Sequence, residues 1–372
     1  MDLFQPFHDL VDDPAGYARQ WKEKHQREVI GTFCSYAPEE VILAAGALGY
    51  RIFGTGTEIS KADAHMQAYS CSLVRGALEE SLTGGLAFID GVVFPHTCDS
   101  IQRLSDIWRI NVKSGFHLDL IMPVKLNTAS ARDYMADVVK RFKSDLENTL
   151  GREISEDDLK EAAKTCNEIR EVMQQLYSIR IQSPEAIRGE DMHVMVKAGM
   201  IMDRYEFLAA ARNIATELQG KAADSSSNKK RFVLSGGLCN MPNVYGAIEN
   251  AGGVVVGDDL CTGNRFYQGT VSEESDILTD IARRYSERNV CPAKHSGNRA
   301  RGENLVKLAK EVQADGVIYI FLKFCDPHGF DYPYLKEMLE DNGIPCMLYE
   351  MEEQQSGDGQ FETRCEAFVE ML

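Results

Sequence analysis

The amino-acid sequence predicts an α/β protein built on two parallel sheets. Three observations carry that reading. Short apolar runs of strand length alternate with helical stretches after the first thirty residues or so. The chain then reads as helix through its middle. The strand and helix alternation resumes in the last third. Strands separated by helices favour a parallel sheet covered by helices on its faces.

In the first part, residues 28–34 (EVIGTFC), 50–54 (YRIFG), 86–94 (LAFIDGVVF) and 118–122 (LDLIM) read as strands. Residues 38–49 (PEEVILAAGALG) read as a helix with Pro38 at an early position. In the middle, Met135, Val138, Phe142, Leu146 and Leu150 recur every three or four residues. They form one helical face that stops at Gly151. Ser155 is placed to cap a second helix, whose stripe is Leu159, Ala162, Cys166, Ile169, Met173 and Leu176. Residues 190–218 add further helix. Residues 219–230 (QGKAADSSSNKK) are polar and read as a linker. Beyond them, residues 231–235, 253–257, 316–323 and 344–350 read as strands. The resulting division is a helical extension over 1–27, a first α/β domain over 28–125, a helical region over 126–220 and a second α/β domain over 231–372. Both α/β domains are expected to be Rossmann- or flavodoxin-like, with a site in the cleft between them. Short periodic repeats are absent, although the two α/β halves could be distant structural relatives.

Composition narrows the function. The chain carries 57 acidic against 40 basic residues, a formal charge of −17. Such a surface repels nucleic-acid backbones, and the short basic clusters at Lys229-Lys230-Arg231 and at Arg299 and Arg301 make no long basic tract. No nucleic-acid partner is expected. There is no apolar run long enough to span a membrane. The acidic start, MDLFQPFHDLVDDP, lacks the features of a signal peptide. A cytoplasmic location is the expectation.

Ten cysteines stand out in such a chain. A reducing compartment disfavours a disulfide framework. No Cys-x-x-Cys pair occurs, which disfavours zinc ribbons and ferredoxin-type loops. Any metal must gather ligands from distant segments. Cys34 ends a strand and Cys98, Cys261 and Cys325 each follow one, where open parallel sheets collect ligands. Cys71 and Cys291 lie in segments that could reach the same cleft. Cys166, Cys346 and Cys365 suit core positions, and Cys239 (GGLCNMP) reads either way. Clustered thiolates suit soft metals, iron–sulfur clusters in particular.

The segments FCSYAPEEVILAAGALGYR, YSCSLVRGALE, FIDGVVFPHTCDSIQRLSDIW, VVGDDLCTGNRF, NVCPAKHS and GVIYIFLKFCDPHGFDYPYLKEMLEDNGIPCMLYEME together resemble the 2-hydroxyacyl-CoA dehydratase, benzoyl-CoA reductase and double-cubane cluster family (2-hydroxyglutaryl-CoA dehydratase D-component type). The resemblance runs from about residue 28 to the end. It implies that Cys71, Cys98 and Cys325 hold a four-iron (4Fe-4S) cubane with one open iron. Cys34, Cys261 and Cys291 match positions that would hold a second, giving a double cubane (8Fe-9S). The loop NVCPAKHS has one cysteine where double-cubane relatives can carry two. The resemblance further implies a dimer with a homologous or identical subunit, an ATP-dependent iron–sulfur activator protein and an acyl-CoA substrate. The activity implied is low-potential, single-electron reduction of an acyl-CoA or small unsaturated molecule. The alternatives are radical dehydration of a 2-hydroxyacyl-CoA, or a non-catalytic electron-transfer subunit.

Other candidates are weaker. The resemblance places Ser35 near substrate or the open iron, while a turn hydroxyl is the plain reading. His96 and His328 flank Cys98 and Cys325 and could donate hydrogen bonds to sulfur or protons to substrate. Glu39 and Glu40 open a helix, where the dipole favours acids. Ser235-Gly236-Gly237 reads as a tight turn rather than a phosphate loop, since no Lys-Ser/Thr follows. Gly54-x-Gly56 lacks the third glycine of a dinucleotide loop.

Overall fold

The structure, a computed structural model, describes residues 2–54, 58–113, 115–219, 229–237, 243–297, 299–352 and 358–372. Cys239, Gly56 and residues 220–228 of the expected linker lie outside them. Among the described residues no helix is long and apolar enough to cross a membrane.

Helices Gln5–Asp12 and Pro14–His25 open the chain. Asp13 separates them by accepting from Gly16 N, and Pro14 starts the second without losing a needed donor. Phe7 stacks edge-on against Phe207 at 5.8 Å, and the Trp21 indole donates to Asp203 at 3.0 Å. These contacts fasten the extension to the helical region.

The first sheet contains β1 (Val29–Thr32), β2 (Leu48–Arg51), β3 (Gly91–Pro95) and β4 (Phe116–Leu120). The second contains β5 (Lys230–Gly236), β6 (Gly253–Asp259), β7 (Gly316–Leu322) and β8 (Cys346–Met351). All pairings are parallel, and the orders are β2-β1-β3-β4 and β6-β5-β7-β8. The two halves therefore share one topology. In each, the chain reverses direction across the sheet beside its first strand, which opens a crevice at the carboxyl ends.

Side chains alternate between two buried faces, as both-sided parallel sheets require. Phe232, Leu234, Ile318, Ile320 and Leu322 face a central core, while Val233, Val317, Tyr319 and Phe321 face helices Ala300–Glu311 and Asp326–Asp341. In the first sheet Val29, Val92 and Phe94 face the central core. Ile30, Val93 and Leu120 face helix Ala129–Leu150. Helix Glu156–Gln182 runs between, with Leu159 and Ala163 in the outer core of the first sheet and Ile169, Met173 and Leu176 in the central core. Ser155 and Asp158 form a reciprocal capping box at its start, and Gly151 ends the preceding helix at φ 66°.

One helix crosses the expected division. Ile277–Glu287 lies in the β6–β7 connection, yet its Ile277, Ile281 and Tyr285 pack with Ile30, Val41 and Val139 of the first half. It meets a buried ionic network there. Arg170 Nη2 lies 2.8 Å from Glu39 and 2.5 Å from Glu40, and Arg204 Nε lies 3.1 Å from Glu39. Arg284 approaches Glu40 at 3.7 Å, and the Tyr285 hydroxyl donates to Glu40 at 3.0 Å. Glu39 and Glu40 thus join three helices and a hydroxyl besides opening their own helix.

Some boundaries differ from expectation for local reasons. The helix expected over 38–49 is Glu39–Ala44, because Gly46 turns at φ 68° and Leu48 already enters β2. The run 86–94 becomes strand only from Gly91; Ile89 N instead bonds Leu86 O in a turn, and the Asp90 carboxylate accepts from Val29 N at 2.9 Å. The helix expected over 190–218 is two, Gly189–Gly199 and Arg204–Leu218, since Asp203 caps the second by accepting from Tyr205 N and Glu206 N.

Two substitutions separate a local from a tertiary contribution. Ser155→Ala removes the capping box and is expected to cost about 1 kcal/mol in urea denaturation. Glu40→Ala removes the buried carboxylate that Arg170, Arg284 and the Tyr285 hydroxyl share and is expected to cost about 3 kcal/mol. A Glu40→Ala chain as stable as the parent would show that the network holds nothing together.

Candidate functional site

The carboxyl ends of both sheets face one cleft, and the candidate cysteines arrive there from six separate places. Cys34 lies just past β1 and Cys261 just past β6. Cys71, Cys98 and Cys325 are the residues immediately before helices Ser72–Leu82, Asp99–Asn111 and Asp326–Asp341. Cys291 sits in the loop after Ile277–Glu287. All six line a single cavity of about 90 Å³, together with Ser35, Arg51, Gly237 and His328 and the apolar side chains Phe33, Leu73, Ile101 and Leu322. That space is several times the roughly 10–15 Å³ one water needs.

The two sets of cysteines sit in different electrical surroundings. Cys71, Cys98 and Cys325 each hold an N-cap position without making a capping hydrogen bond from the side chain. Backbone N–H groups of Ser100 and Ile101 face the Cys98 sulfur and that of His328 faces Cys325, and three helix N-termini bring partial positive charge to their neighbourhood. Phe324, just before Cys325, adopts φ 66°, a conformation rarely seen for an aromatic residue. It turns the chain sharply between β7 and its helix, with Cys325 N bonded to Leu322 O at 3.0 Å.

Around Cys34, Cys261 and Cys291 the positive charge comes instead from buried side chains. Arg265 Nη1 lies 3.5 Å from Cys261 Sγ. A hydrogen bond from Cys291 and the cations of Arg265, Arg51 and Arg301 pull the Cys261 thiol down, despite burial. Cys291, the donor in that bond, is pushed well up. Burial and then the neighbouring Cys71 push Cys98 up to about 12, and the same two causes raise Cys325. Buried thiols this crowded oppose one another's ionisation. Holding them all as thiolates calls for a positive centre among them.

Lys294 is 3% exposed, and its Nζ donates to the carbonyls of His96 (3.2 Å) and Met122 (3.4 Å). Arg288 donates to Ser35 O at 2.9 Å and Ser35 Oγ at 3.2 Å, and lies over the rings of Tyr36 and Tyr285. That contact fixes the loop carrying Cys34 and Ser35. His328 is buried with Nδ1 3.1 Å from Cys325 Sγ, while its Nε2 has no hydrogen-bond partner. Burial and the nearby Arg265 and Arg301 hold its ring neutral. Gly236, the last residue of β5, has φ 131°, and a Cβ there would collide with the Ile320 carbonyl oxygen; the turn expected of Ser235-Gly236-Gly237 leads into residues 238–242, outside the described residues.

His96 is not among the residues lining the cavity. Its Nε2 lies 2.8 Å from Asp119, which also accepts from Ser105 at 2.5 Å and pairs with Arg109. Cys166 lies apart on helix Glu156–Gln182 beside Glu39 and Glu40, whose carboxylates already face arginines. Cys346 lies in β8 and Cys365 in the last helix, Asp358–Met371. The basic residues of the site were not singled out from the sequence. A signal exists, since Arg265 follows Cys261 by four positions and Lys294 follows Cys291 by three.

The donor set fits an iron–sulfur group. Thiols are the ligands such clusters take, the cavity walls are partly apolar, and buried nitrogens of His328 and Arg51 face it unpartnered. A larger outer cavity of about 790 Å³ reaches Thr97 and Cys98 from solvent, beside Lys294 and Arg301. Tyr69, Phe330 and Tyr334 stand 70%, 76% and 61% exposed along it.

Relatives carry the same chain nearly end to end. The sequence is 28% identical over 371 residues to the (R)-phenyllactyl-CoA dehydratase beta subunit of Clostridium sporogenes, covering 100% of this chain and 98% of that one. It is 28% identical over 346 residues to a subunit of the benzoyl-CoA reductase of Thauera aromatica, covering 90% and 89%. It is 25% identical over 376 residues to the beta subunit of the (R)-2-hydroxyglutaryl-CoA dehydratase of Acidaminococcus fermentans, covering 100% and 99%. The family of the 2-hydroxyglutaryl-CoA dehydratase D-component matches residues 34–372, from the first cavity cysteine to the last residue, and the chain belongs to that enzyme family.

Proposed function

We propose that this chain is the iron–sulfur subunit of a low-potential reductase, fed by an ATP-dependent activator, that delivers single electrons to an acyl-CoA or small unsaturated substrate. The observation that carries the reading is the meeting of six thiols from six segments in one partly apolar cavity. Cys71, Cys98 and Cys325 would hold one cubane, and Cys34, Cys261 and Cys291 a second, as a double cubane. When bound, such a cluster supplies single electrons at a potential set by its charge, its hydrogen bonds and its exposure.

The chain's own residues have separate tasks. Phe33, Leu73, Ile101 and Leu322 keep water from the sulfurs. His328 offers a buried N–H beside Cys325, and Arg288 holds Ser35 at the cavity wall. The outer cavity, within the usual size of small-molecule sites, would seat the substrate against Thr97 and Cys98. Its exposed rings suit the flat or apolar parts of a thioester substrate. A homologous or identical subunit is the expected dimer partner, in keeping with the relatives' being named as subunits.

A second reading has its own support, because two of the relatives compared are named as 2-hydroxyacyl-CoA dehydratase subunits. In that case Cys71, Cys98 and Cys325 alone hold a single cubane, and the enzyme dehydrates rather than reduces.

Anaerobic purification with iron and sulfide analysis separates the readings: about eight irons per chain supports the double cubane and about four the single one. A chain that takes up no iron overturns both. Cys98→Ala and Cys325→Ala are expected to lose most of the iron, while Cys166→Ala keeps it. Equal retention in all three would reject the ligand assignment. Thioester turnover with activator, ATP and reductant is expected, and its absence would leave the chain an electron-transfer subunit.

A further inference from the structure

Buried arginines in this protein have acidic partners, with few exceptions. Arg170 and Arg284 pair with Glu40, Arg204 with Glu39, Arg265 with Asp259, Arg180 with Glu249 and Arg301 with Asp331. Arg288 is satisfied by carbonyls and two aromatic faces. Arg51 is different. It is 7% exposed, its Nε has no hydrogen-bond partner, and among the described residues no carboxylate lies within ion-pair distance of it. What its guanidinium does face are the sulfurs of Cys34, with which it makes a hydrogen bond, and of Cys261.

Its place is fixed by the fold. Arg51 is the last residue of β2, in register with Thr32 of β1, two residues before Cys34. Its backbone N–H donates to Met200 O at 3.1 Å, and its cation lies 6.0 Å from the Phe53 ring. The side chain reaches the six-cysteine cavity and lines it. A buried cation that no carboxylate offsets, and that only thiol sulfurs face, is a large penalty in a marginally stable fold. A sulfur-rich anionic group in the cavity offsets that penalty more fully than the protein's own sulfurs do.

We propose that Arg51 is the counter-charge of the cavity's anionic occupant, a positioning residue whose guanidinium pairs with the sulfur-rich group held on the side of Cys34 and Cys261. The inference rests on the iron–sulfur reading above. It carries a sign that a structural role does not. In the loaded protein Arg51 stabilises; in the emptied chain the same charge destabilises.

The test compares Arg51→Met, Arg51→Gln and Arg51→Lys with the parent, each as the full chain, loaded and after removal of iron by a chelator. Thermal midpoint, rate of iron loss to the chelator and reduction midpoint are measured at one pH. The neutral variants are expected to raise the midpoint of the emptied chain, lose iron at least about tenfold faster and shift the reduction midpoint to more negative values. Arg51→Lys, which keeps the charge, is expected to stay near the parent in the last two. Neutral variants that are destabilised in both forms, that keep iron as the parent does, or that fail to fold when emptied overturn the proposal. A parent chain that takes up no iron instead overturns the iron–sulfur reading itself, so the two failures are told apart.

Discussion

The structure depends on crowding buried sulfur at one point and compensating its charge. Six thiols in a small cavity cannot all ionise unaided, because burial and mutual repulsion both favour the protonated form. A chain whose formal charge is −17 nevertheless brings Arg51, Arg265, Arg288, Lys294 and Arg301 to the interior around that point. Two of these cations, Arg265 and Arg301, have buried or half-buried aspartates beside them, and Arg51 has none within ion-pair distance among the described residues. That arrangement is what the proposed anionic, thiolate-bound group would require.

Two copies of one topology produce the meeting place. The order β2-β1-β3-β4 recurs as β6-β5-β7-β8, so each half offers a crevice at the carboxyl ends of its central strands. Cys98 after β3 and Cys325 after β7 occupy corresponding positions, each just before a helix. The correspondence ends at the first strands, where β1 is followed by Cys34 and β5 ends on Gly236, close against the Ile320 carbonyl. Each half supplies three of the six sulfurs, but from different places along its strands and helices. The cavity is thus unsymmetrical, with helix N-termini near one set of cysteines and cationic side chains near the other.

Such a cavity is useful only if the two halves keep their spacing. The helix Ile277–Glu287, though it belongs to the second half in sequence, is packed into the first. Beneath it, Glu39 and Glu40 bind Arg170, Arg204 and Arg284 in a network that sits directly behind the loop of Cys34 and Ser35. Replacing such groups by apolar ones can be harmless, but removing one partner is not. The network therefore ties loop position to the docking of three helices.

The sequence by itself determined the α/β class, all eight strands of the described residues to within a few positions, the two capped central helices and the strand-end placement of the key cysteines. Those features are local: they follow from two-residue and 3.6-residue periodicity and from capping chemistry, which neighbouring residues decide. Only the tertiary structure decided where Glu39–Ala44 stops, that residues 190–218 break at Asp203, and that His96 turns to Asp119 while His328 turns to Cys325. It alone gathered the cations, since Arg51, Arg265 and Lys294 carry no pattern that marks them apart from surface charges until distant strands meet. Side chains far apart in sequence interact by distance in space, and distance in space is what folding adds.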